Sequence, residues 1–276
     1  MSLVSVMAWT TRLPLVVLAG WLAAAALMTG LWLIQRRTRN AGIDDVAWSF
    51  ATGSLGAVFA LAADGAWPRR LVVAILAAAW GVRLGVHLWT RVAREAEDGR
   101  YRQMRADWGP AADRNLLVFF QIQALWAVLF ALPMLAAAGN AAPWGAWDAL
   151  GVLLWLIGLA GETIADRQLA AFRAAPGNRG RVCQVGLWRY SRHPNYFFEW
   201  LHWWGYVALA LHAPLWWLPL AAVVAMGYFI TRVTGIPPTE AQAVRSRGEA
   251  YRTYQRTTSA FVPWPPRTDT LAEARR

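Results

Sequence analysis

The chain of 276 residues is 57% hydrophobic and only 16% charged, with a mean hydropathy of +0.30, which excludes an ordinary soluble domain and favours a membrane protein. Its 27 basic residues, all arginine, give a net charge of +11, but they lie between long apolar runs, which argues against nucleic-acid binding. A single cysteine, Cys183, excludes an internal disulfide and a cysteine cluster for a metal ion.

Seven apolar runs are close to the length of about 20 residues that a helix needs to cross a bilayer. The first run begins after Arg12 and ends before Arg36, so we interpret it as a retained helix rather than a cleaved signal. The sixth run is short for a span and contains Glu199 and His202. The sequence therefore predicts an all-α, polytopic membrane bundle of about seven helices. The predicted spans are residues 13–34, 46–63, 71–92, 116–138, 146–165, 196–211 and 215–233.

The distribution of arginines predicts how these spans are oriented. If the N-terminus lies outside, 23 arginines fall in the inner segments and only three, Arg12, Arg69 and Arg70, in the outer segments. Inner loops of membrane proteins carry such an excess of basic residues. We therefore predict an outer N-terminus and a cytoplasmic C-terminus.

Charged side chains within the spans are costly to insert and are therefore functional candidates. Arg83, His87 and Arg91 are four residues apart and share one face of the third span. That face either takes part in function or carries an arginine that pairs with an acid on a neighbouring helix. Because lipid would not tolerate these side chains, we expect the face with Arg83 and His87 to point into the bundle. Glu162 and Asp166 share a face of the fifth span, where a structural salt bridge and a ligand contact both fit the pattern.

A polar and aromatic run, Gly-Leu-Trp-Arg-Tyr-Ser-Arg-His-Pro-Asn-Tyr at residues 186–196, precedes the sixth span. Pro194 is placed to begin a helix, and arginines, a histidine and helix-start amides suit a phosphate-bearing ligand. The basic loop at residues 178–181 could close over phosphates. The sequence has no glycine-rich nucleotide motif of the Rossmann or P-loop type and no zinc-spaced histidines, so we predict no metal site.

This run, with Glu199 and the Gly-Glu-Ala-Tyr-Arg-Thr-Tyr segment at residues 248–254, resembles the C-terminal signature of the steroid 5-alpha-reductase-like superfamily. That superfamily includes sterol reductases and isoprenylcysteine carboxyl methyltransferase, and the chain is most similar to its bacterial branch of membrane proteins of unassigned function. The resemblance implies a seven-helix protein of the bacterial inner membrane, with a cofactor pocket open to the cytoplasm. The cofactor is NADPH in reductase members and S-adenosylmethionine in methyltransferase members.

The resemblance also implies positions for the cofactor. Within one domain over residues 1–276, residues 13–138 would form the substrate-side half, residues 146–264 the cofactor-binding half and residues 265–276 a flexible tail. Trp188, Arg192, His193, Asn195, Tyr196 and Glu199 would line the cofactor, Asp166, Arg173, Asn178, Arg179 and Arg181 would surround its phosphates or ribose, and Glu240 and Tyr254 would close the site.

In the 5-alpha-reductases a carboxylate at the start of the second helix and a tyrosine in the third are held to polarise the substrate carbonyl. Asp44 or Asp45 matches the carboxylate. The tyrosine has no match, because Leu88 follows His87 at the corresponding place.

The leading hypothesis is an NADPH-dependent reductase of an activated, enone-like double bond in a steroid-like or other lipid. His87, oriented by Arg83 or by an acid, would hydrogen-bond the substrate carbonyl, and Asp45 and Tyr101 are further candidates for this role. NADPH is favoured because six arginines lie between Arg167 and Arg192. The expected partners are the bilayer and a hydrophobic small-molecule or lipid substrate. The alternatives are an S-adenosylmethionine-dependent methyltransferase of a lipid or prenyl substrate, and a lipid-binding or transport protein.

Overall fold

A computed structural model describes residues 3–94 and 96–268, with side chains from residue 13 onward. These described residues form ten α-helices and no β-strand. Most of the predicted tail at residues 265–276 lies outside them. The helices are α1 (Leu3–Thr38), α2 (Ile43–Ala62), α3 (Trp67–Val92), α4 (Gly99–Trp108), α5 (Ala112–Ala138), α6 (Ala146–Ala174), α7 (Pro194–Ala210), α8 (Trp217–Tyr228), α9 (Ile236–Arg247) and α10 (Glu249–Thr257).

Six stretches of the described chain are long and apolar enough to cross a membrane. The predicted all-α membrane bundle is therefore confirmed, and the protein is an integral membrane protein. The predicted span at residues 196–211 corresponds to α7, which has 17 residues and is not among the six. The six stretches are Leu13–Thr38, Ile43–Ala62, Trp67–Val92, Gly99–Ala138, Ala146–Ala174 and Trp217–Arg247.

The chain divides into two compact units. The first contains the residues up to Gly145 together with Leu209–Pro219. The second contains Ala146–Ala208 and the residues from Leu220 onward. That all of them act as one membrane domain stays a prediction.

In the first unit, α2 and α3 approach closely at two glycines. A Cβ atom on Gly53 would lie 2.6 Å from the Cα atom of Gly81, so a side chain at this crossing has no room. Small residues allow such close backbone contacts between membrane helices. The crossing sets the position of α2, whose first turn carries Asp44 and Asp45 where the helix dipole favours acids.

Arg69 contributes to the first unit by more than its charge. Its side chain is buried, and Nη1 donates to the carbonyl oxygens of Asn140 at 2.6 Å and Ala142 at 2.8 Å. Arg69, which the arginine count places in an outer segment, therefore also connects the start of α3 to the loop after α5.

In the second unit, α9 and α10 meet at Gly248, whose φ of +56° is a conformation that favours glycine. Buried Ala243 of α9 packs with Tyr251 and Tyr254 of α10, and Val182 from the loop after α6 packs against the same cluster. This cluster holds the two short helices against the loop that carries the predicted phosphate-binding residues.

Candidate functional site

A carboxylate and a tyrosine meet in the first unit at the start of α2. The hydroxyl group of Tyr101 donates to Oδ1 of Asp45 at 2.9 Å. Tyr101 is buried and lies on α4, a short polar helix that the apolar periodicity of the sequence does not reveal. The structure thus brings together two of the four predicted catalytic residues. Position 88 has a leucine where the resemblance implies a tyrosine, and Tyr101 of α4 provides a tyrosine beside the carboxylate instead.

Arg100 holds the Asp45 carboxylate of this pair in place, and Asp98 in turn positions Arg100. Arg100 donates from Nη2 to Oδ2 of Asp45 at 3.1 Å, and its backbone N–H and Nε donate to Asp98. Asp98 also pairs with Arg91 of α3. Burial alone would raise the pKa of Asp98, but the Arg100 contacts and the charge of Arg91 outweigh it, and the pKa is lowered. Asp98 is therefore an ionised cap at the N-terminus of α4.

The neighbouring acid, Asp44, has a different environment. Its side chain is 0% exposed, and neither carboxyl oxygen has a hydrogen bond of ordinary geometry, although Gln123 of α5 faces the group. The resemblance leaves Asp44 and Asp45 open as the matching carboxylate. Only Asp45 contacts a tyrosine hydroxyl in the structure, which favours Asp45 for that role.

The other two predicted catalytic residues lie on α3. Arg83 is half-buried, whereas His87 is exposed on the surface of the bundle. The expectation that His87 points into the bundle is therefore wrong for its side chain. The four-residue spacing correctly gives a shared face, but it does not say which way that face points. The catalytic roles of both residues stay predictions.

A cavity of about 240 Å³ lies in the second unit at the end of α6. Four of the predicted phosphate-binding residues line it, namely Arg173, Asn178, Arg179 and Arg181. A fourth arginine, Arg247 of α9, completes the wall, and none of the described lining residues is acidic. We call this the arginine cavity. Guanidinium groups on the wall of a cavity are suited to bind an anion through charge-assisted hydrogen bonds.

Apolar groups complete the wall of the arginine cavity. Leu169 and Phe172 come from α6, and Cys183 is the third apolar side chain. The amide of Asn178 donates to the carbonyl oxygen of Phe172 at 3.0 Å, which fixes the loop after α6. Burial raises the pKa of the Cys183 thiol, so this cysteine is a wall residue and not an activated nucleophile.

The Arg-His pair of the motif contacts α9 and the end of α10. Arg192 donates from Nε to Glu240 at 2.6 Å, and from Nη1 to the carbonyl oxygens of Gln255 at 2.8 Å and Thr258 at 2.5 Å. His193 is buried, and its Nε2 lies 3.2 Å from the same Glu240 oxygen. Three elements are therefore joined through one carboxylate and one guanidinium, which we call the Glu240 latch.

Other motif residues support the Glu240 latch. Tyr254 donates its buried hydroxyl to the carbonyl oxygens of Trp188 and Ser191. Trp188 in turn donates from Nε1 to the carbonyl oxygen of Ala165 at 2.9 Å. The ring of His193 stacks on Tyr196, with 5.3 Å between centroids. These contacts are within the chain, and a cofactor contact for these residues stays a prediction.

The remaining predicted cofactor residues lie on α6 and α7, where the two helices contact each other. Asn195 donates to Asp166 at 3.3 Å where α7 begins. Glu199, one turn further, accepts from Nε1 of Trp203 at 3.1 Å and lies 3.7 Å from Nδ1 of the buried His202. The predicted cofactor set thus separates into the arginine cavity, the Glu240 latch and this α6–α7 contact.

Comparison with known proteins identifies the family. A family model described as "Protein of unknown function (DUF1295)" matches residues 31–258, which is most of the chain. The chain belongs to the DUF1295 family. This family is part of the steroid 5-alpha-reductase-like superfamily, as the motif at residues 186–196 indicates.

Two relatives are similar to this DUF1295 chain, and both are from Schizosaccharomyces pombe. "Uncharacterized protein C594.04c" is 27% identical over 88% of this chain and 78% of the fungal protein. "Uncharacterized protein C9.08c" is 31% identical over 28% of this chain and 33% of its own length. No solved structure matches. Kinship with a bacterial branch or with sterol reductases stays a prediction.

Several residues of the site are not found by sequence reasoning. Arg100 and Arg247 contribute charges to the Asp45 pair and to the arginine cavity, and Gln255 donates to Glu240 at 2.7 Å. Arg247 directly precedes the segment at residues 248–254 that carries part of the resemblance, and this adjacency is the one signal that could have drawn attention to it.

Proposed function

We propose that the protein is an NADPH-dependent reductase that acts on an activated, enone-like double bond of a steroid-like or other lipid substrate. The observation that carries the proposal is the arginine cavity, with four arginines and no acidic residue among its described lining residues. Membership of a 5-alpha-reductase-like family is consistent with a membrane reductase.

The chemistry of the arginine cavity favours NADPH over S-adenosylmethionine. NADPH carries three phosphate groups, which guanidinium groups bind through charge-assisted hydrogen bonds. S-adenosylmethionine has no phosphate and carries a sulfonium cation, which four arginines would repel. At about 240 Å³ the cavity is smaller than the roughly 300–1,000 Å³ of pockets that enclose a whole small ligand. It therefore fits a phosphate-bearing part of the cofactor.

The Tyr101–Asp45 pair is suited to act on the oxygen of the substrate. When bound, NADPH would supply the hydride. Tyr101 would turn its O–H from Asp45 toward the carbonyl oxygen of the enone, where negative charge develops as the hydride is added. Asp45 would act as a positioning residue, because its carboxylate accepts the Tyr101 hydroxyl and is held in place by Arg100. This assignment replaces His87, whose side chain is exposed.

The proposal is tested by ligand binding to the purified protein in detergent. Cys183 is the single cysteine and lines the arginine cavity, so its rate of reaction with a small thiol reagent at alkaline pH reports access to that cavity. We expect NADPH to slow this reaction and to raise the thermal midpoint, since a ligand that binds only the folded state stabilises it. S-adenosylmethionine should do neither.

Two other outcomes would assign a different function. Protection by S-adenosylmethionine without protection by NADPH would favour a methyltransferase of a lipid or prenyl substrate. Stabilisation by lipid alone, with neither cofactor bound, would favour a lipid-binding or transport protein. Either result would overturn the reductase proposal.

A further inference from the structure

We infer that the arginine cavity is the subsite for a terminal phosphomonoester, the 2′-phosphate of NADPH, and that Arg247 is the residue that selects it. The inference rests on the proposed function and assigns one part of the cofactor to one part of the chain. It concerns the choice between NADPH and NADH, which differ only in this group.

Charge and volume together indicate a monoester. A phosphomonoester carries a charge of about −1.5 to −2 at neutral pH, whereas each phosphate within a diphosphate bridge carries about −1. Four guanidinium groups around about 240 Å³ match the higher charge in the smaller volume. Phe172 and Leu169, on the wall of the same cavity, offer apolar surface to the adjacent adenosine.

The position of Arg247 indicates a terminal group. Arg247 donates from Nε to the carbonyl oxygen of Arg181 at 3.1 Å, which ties α9 to the loop on one side of the arginine cavity. A diphosphate lies in the middle of the cofactor, so the ligand would have to continue past it in two directions. A 2′-phosphate is an end group, so a wall on one side of the cavity does not obstruct the rest of the cofactor.

The hydrogen bonds of Arg247 leave donors for a ligand. Nε is used by Arg181, and Nη1 donates to Oγ of Ser246 at 3.3 Å. A guanidinium group has five N–H donors, so these two bonds orient the group and leave others for phosphate oxygens. The packing of Ala243 and Val182 in the α9–α10 cluster keeps Arg247 in this position.

The test compares Arg247→Gln with Arg245→Gln. Arg245 lies on the same helix, is exposed and donates only to Gln242, which makes it a matched control. Dissociation constants for NADPH and NADH are measured by protection of Cys183 and by thermal midpoint. We expect Arg247→Gln to weaken NADPH binding by about 10- to 150-fold, the range for a lost hydrogen bond to a charged group. NADH binding should change by less than about twofold.

Controls separate this effect from a loss of structure. The thermal midpoint without ligand should be similar in both variants, and Arg247→Lys should recover part of the NADPH affinity because it restores the charge. Adenosine 2′,5′-bisphosphate should protect Cys183 in the wild-type protein better than adenosine 5′-diphosphate does. This comparison uses only the wild-type protein, so it does not depend on whether a variant folds.

Three other results would contradict either the inference or the proposed function. Equal losses for NADPH and NADH in Arg247→Gln would assign the arginine cavity to the diphosphate and overturn the inference, while the proposed function would stand. Protection of Cys183 by micelles containing phosphatidic acid, but not by adenosine 2′,5′-bisphosphate, would assign the cavity to a lipid phosphate and overturn the inference. Wild-type protein that binds neither nicotinamide cofactor would overturn the proposed function as well.

Discussion

Arg192 and Glu240 are 48 residues apart in the sequence, yet Nε of the arginine lies 2.6 Å from a carboxylate oxygen of the glutamate. Both side chains are almost buried, with 10% and 13% of their surfaces exposed. A charge in such a place is stabilised by its partner, and removal of the partner leaves it uncompensated. Arg192 of the motif at residues 186–196 thus stabilises the second unit through contacts within the chain.

The first prediction concerns this tie. Arg192→Ala should lower the free energy of unfolding of the ligand-free protein by about 3 kcal/mol, because Glu240 loses its ionic partner and two backbone carbonyl groups lose a donor. Thermal unfolding in detergent measures the effect. Arg189→Ala, at an exposed position of the same motif, should have little effect. An unchanged midpoint in Arg192→Ala, with weaker NADPH binding, would instead make Arg192 a ligand contact.

The second prediction concerns the pair in the first unit. Tyr101→Phe keeps the ring in its packing and removes the hydroxyl group, so turnover should fall by about 10²- to 10⁴-fold. Asp45→Asn should also reduce turnover, because the hydrogen bond that orients Tyr101 is weakened. The measurement is single-turnover NADPH oxidation with an enone steroid in mixed micelles. NADPH affinity should stay within about twofold, and full turnover in Tyr101→Phe would remove this residue from the mechanism.

The third prediction separates His87 from that pair. Because its side chain is exposed, His87→Phe should change turnover in the same assay by less than about threefold. A loss in the range expected of an acid–base group would restore His87 as the group that contacts the substrate carbonyl.

The fourth prediction concerns the crossing of α2 and α3. Gly53→Ala places a methyl group within 2.6 Å of the backbone of Gly81 and should destabilise the protein by about 1–3 kcal/mol. Gly30→Ala is the matched control, since nothing lies within 4 Å of a Cβ atom there and alanine favours a helix. Thermal midpoints of the two variants give the comparison. Equal midpoints would show that the two helices separate without cost.

The fifth prediction concerns orientation, which rests on the arginine count alone. In a Cys183→Ser background, an impermeant thiol reagent added to intact cells should label Ala141→Cys, which lies in a predicted outer loop. It should not label Ala175→Cys, which lies in a predicted inner segment. Both positions are exposed. The reverse pattern would place the C-terminus outside.

The sequence predicts best what is local. Apolar runs indicate the long helices because burial in lipid requires them, and the phosphate-binding group Arg173, Asn178, Arg179 and Arg181 comes together because nine positions contain all four. It predicts less well what depends on tertiary contacts. Tyr101 reaches Asp45 from a polar helix 56 residues away, and Arg247 reaches the arginine cavity from α9. For His87, spacing defines the face, but only packing decides where the face points.

The Glu240 latch also orders events during synthesis. Arg192 donates to Thr258, which is made 66 residues later. At about 5–20 residues per second, this interval lasts about 3–13 s. During that time the motif exists on the ribosome-bound chain without the complete Glu240 latch, since Glu240 follows Arg192 by 48 residues and Gln255 by 63. The second unit can therefore reach its final form only after α10 has been translated, and a ribosome that stalls between α7 and α9 leaves a nascent protein whose Arg192 has no carboxylate partner.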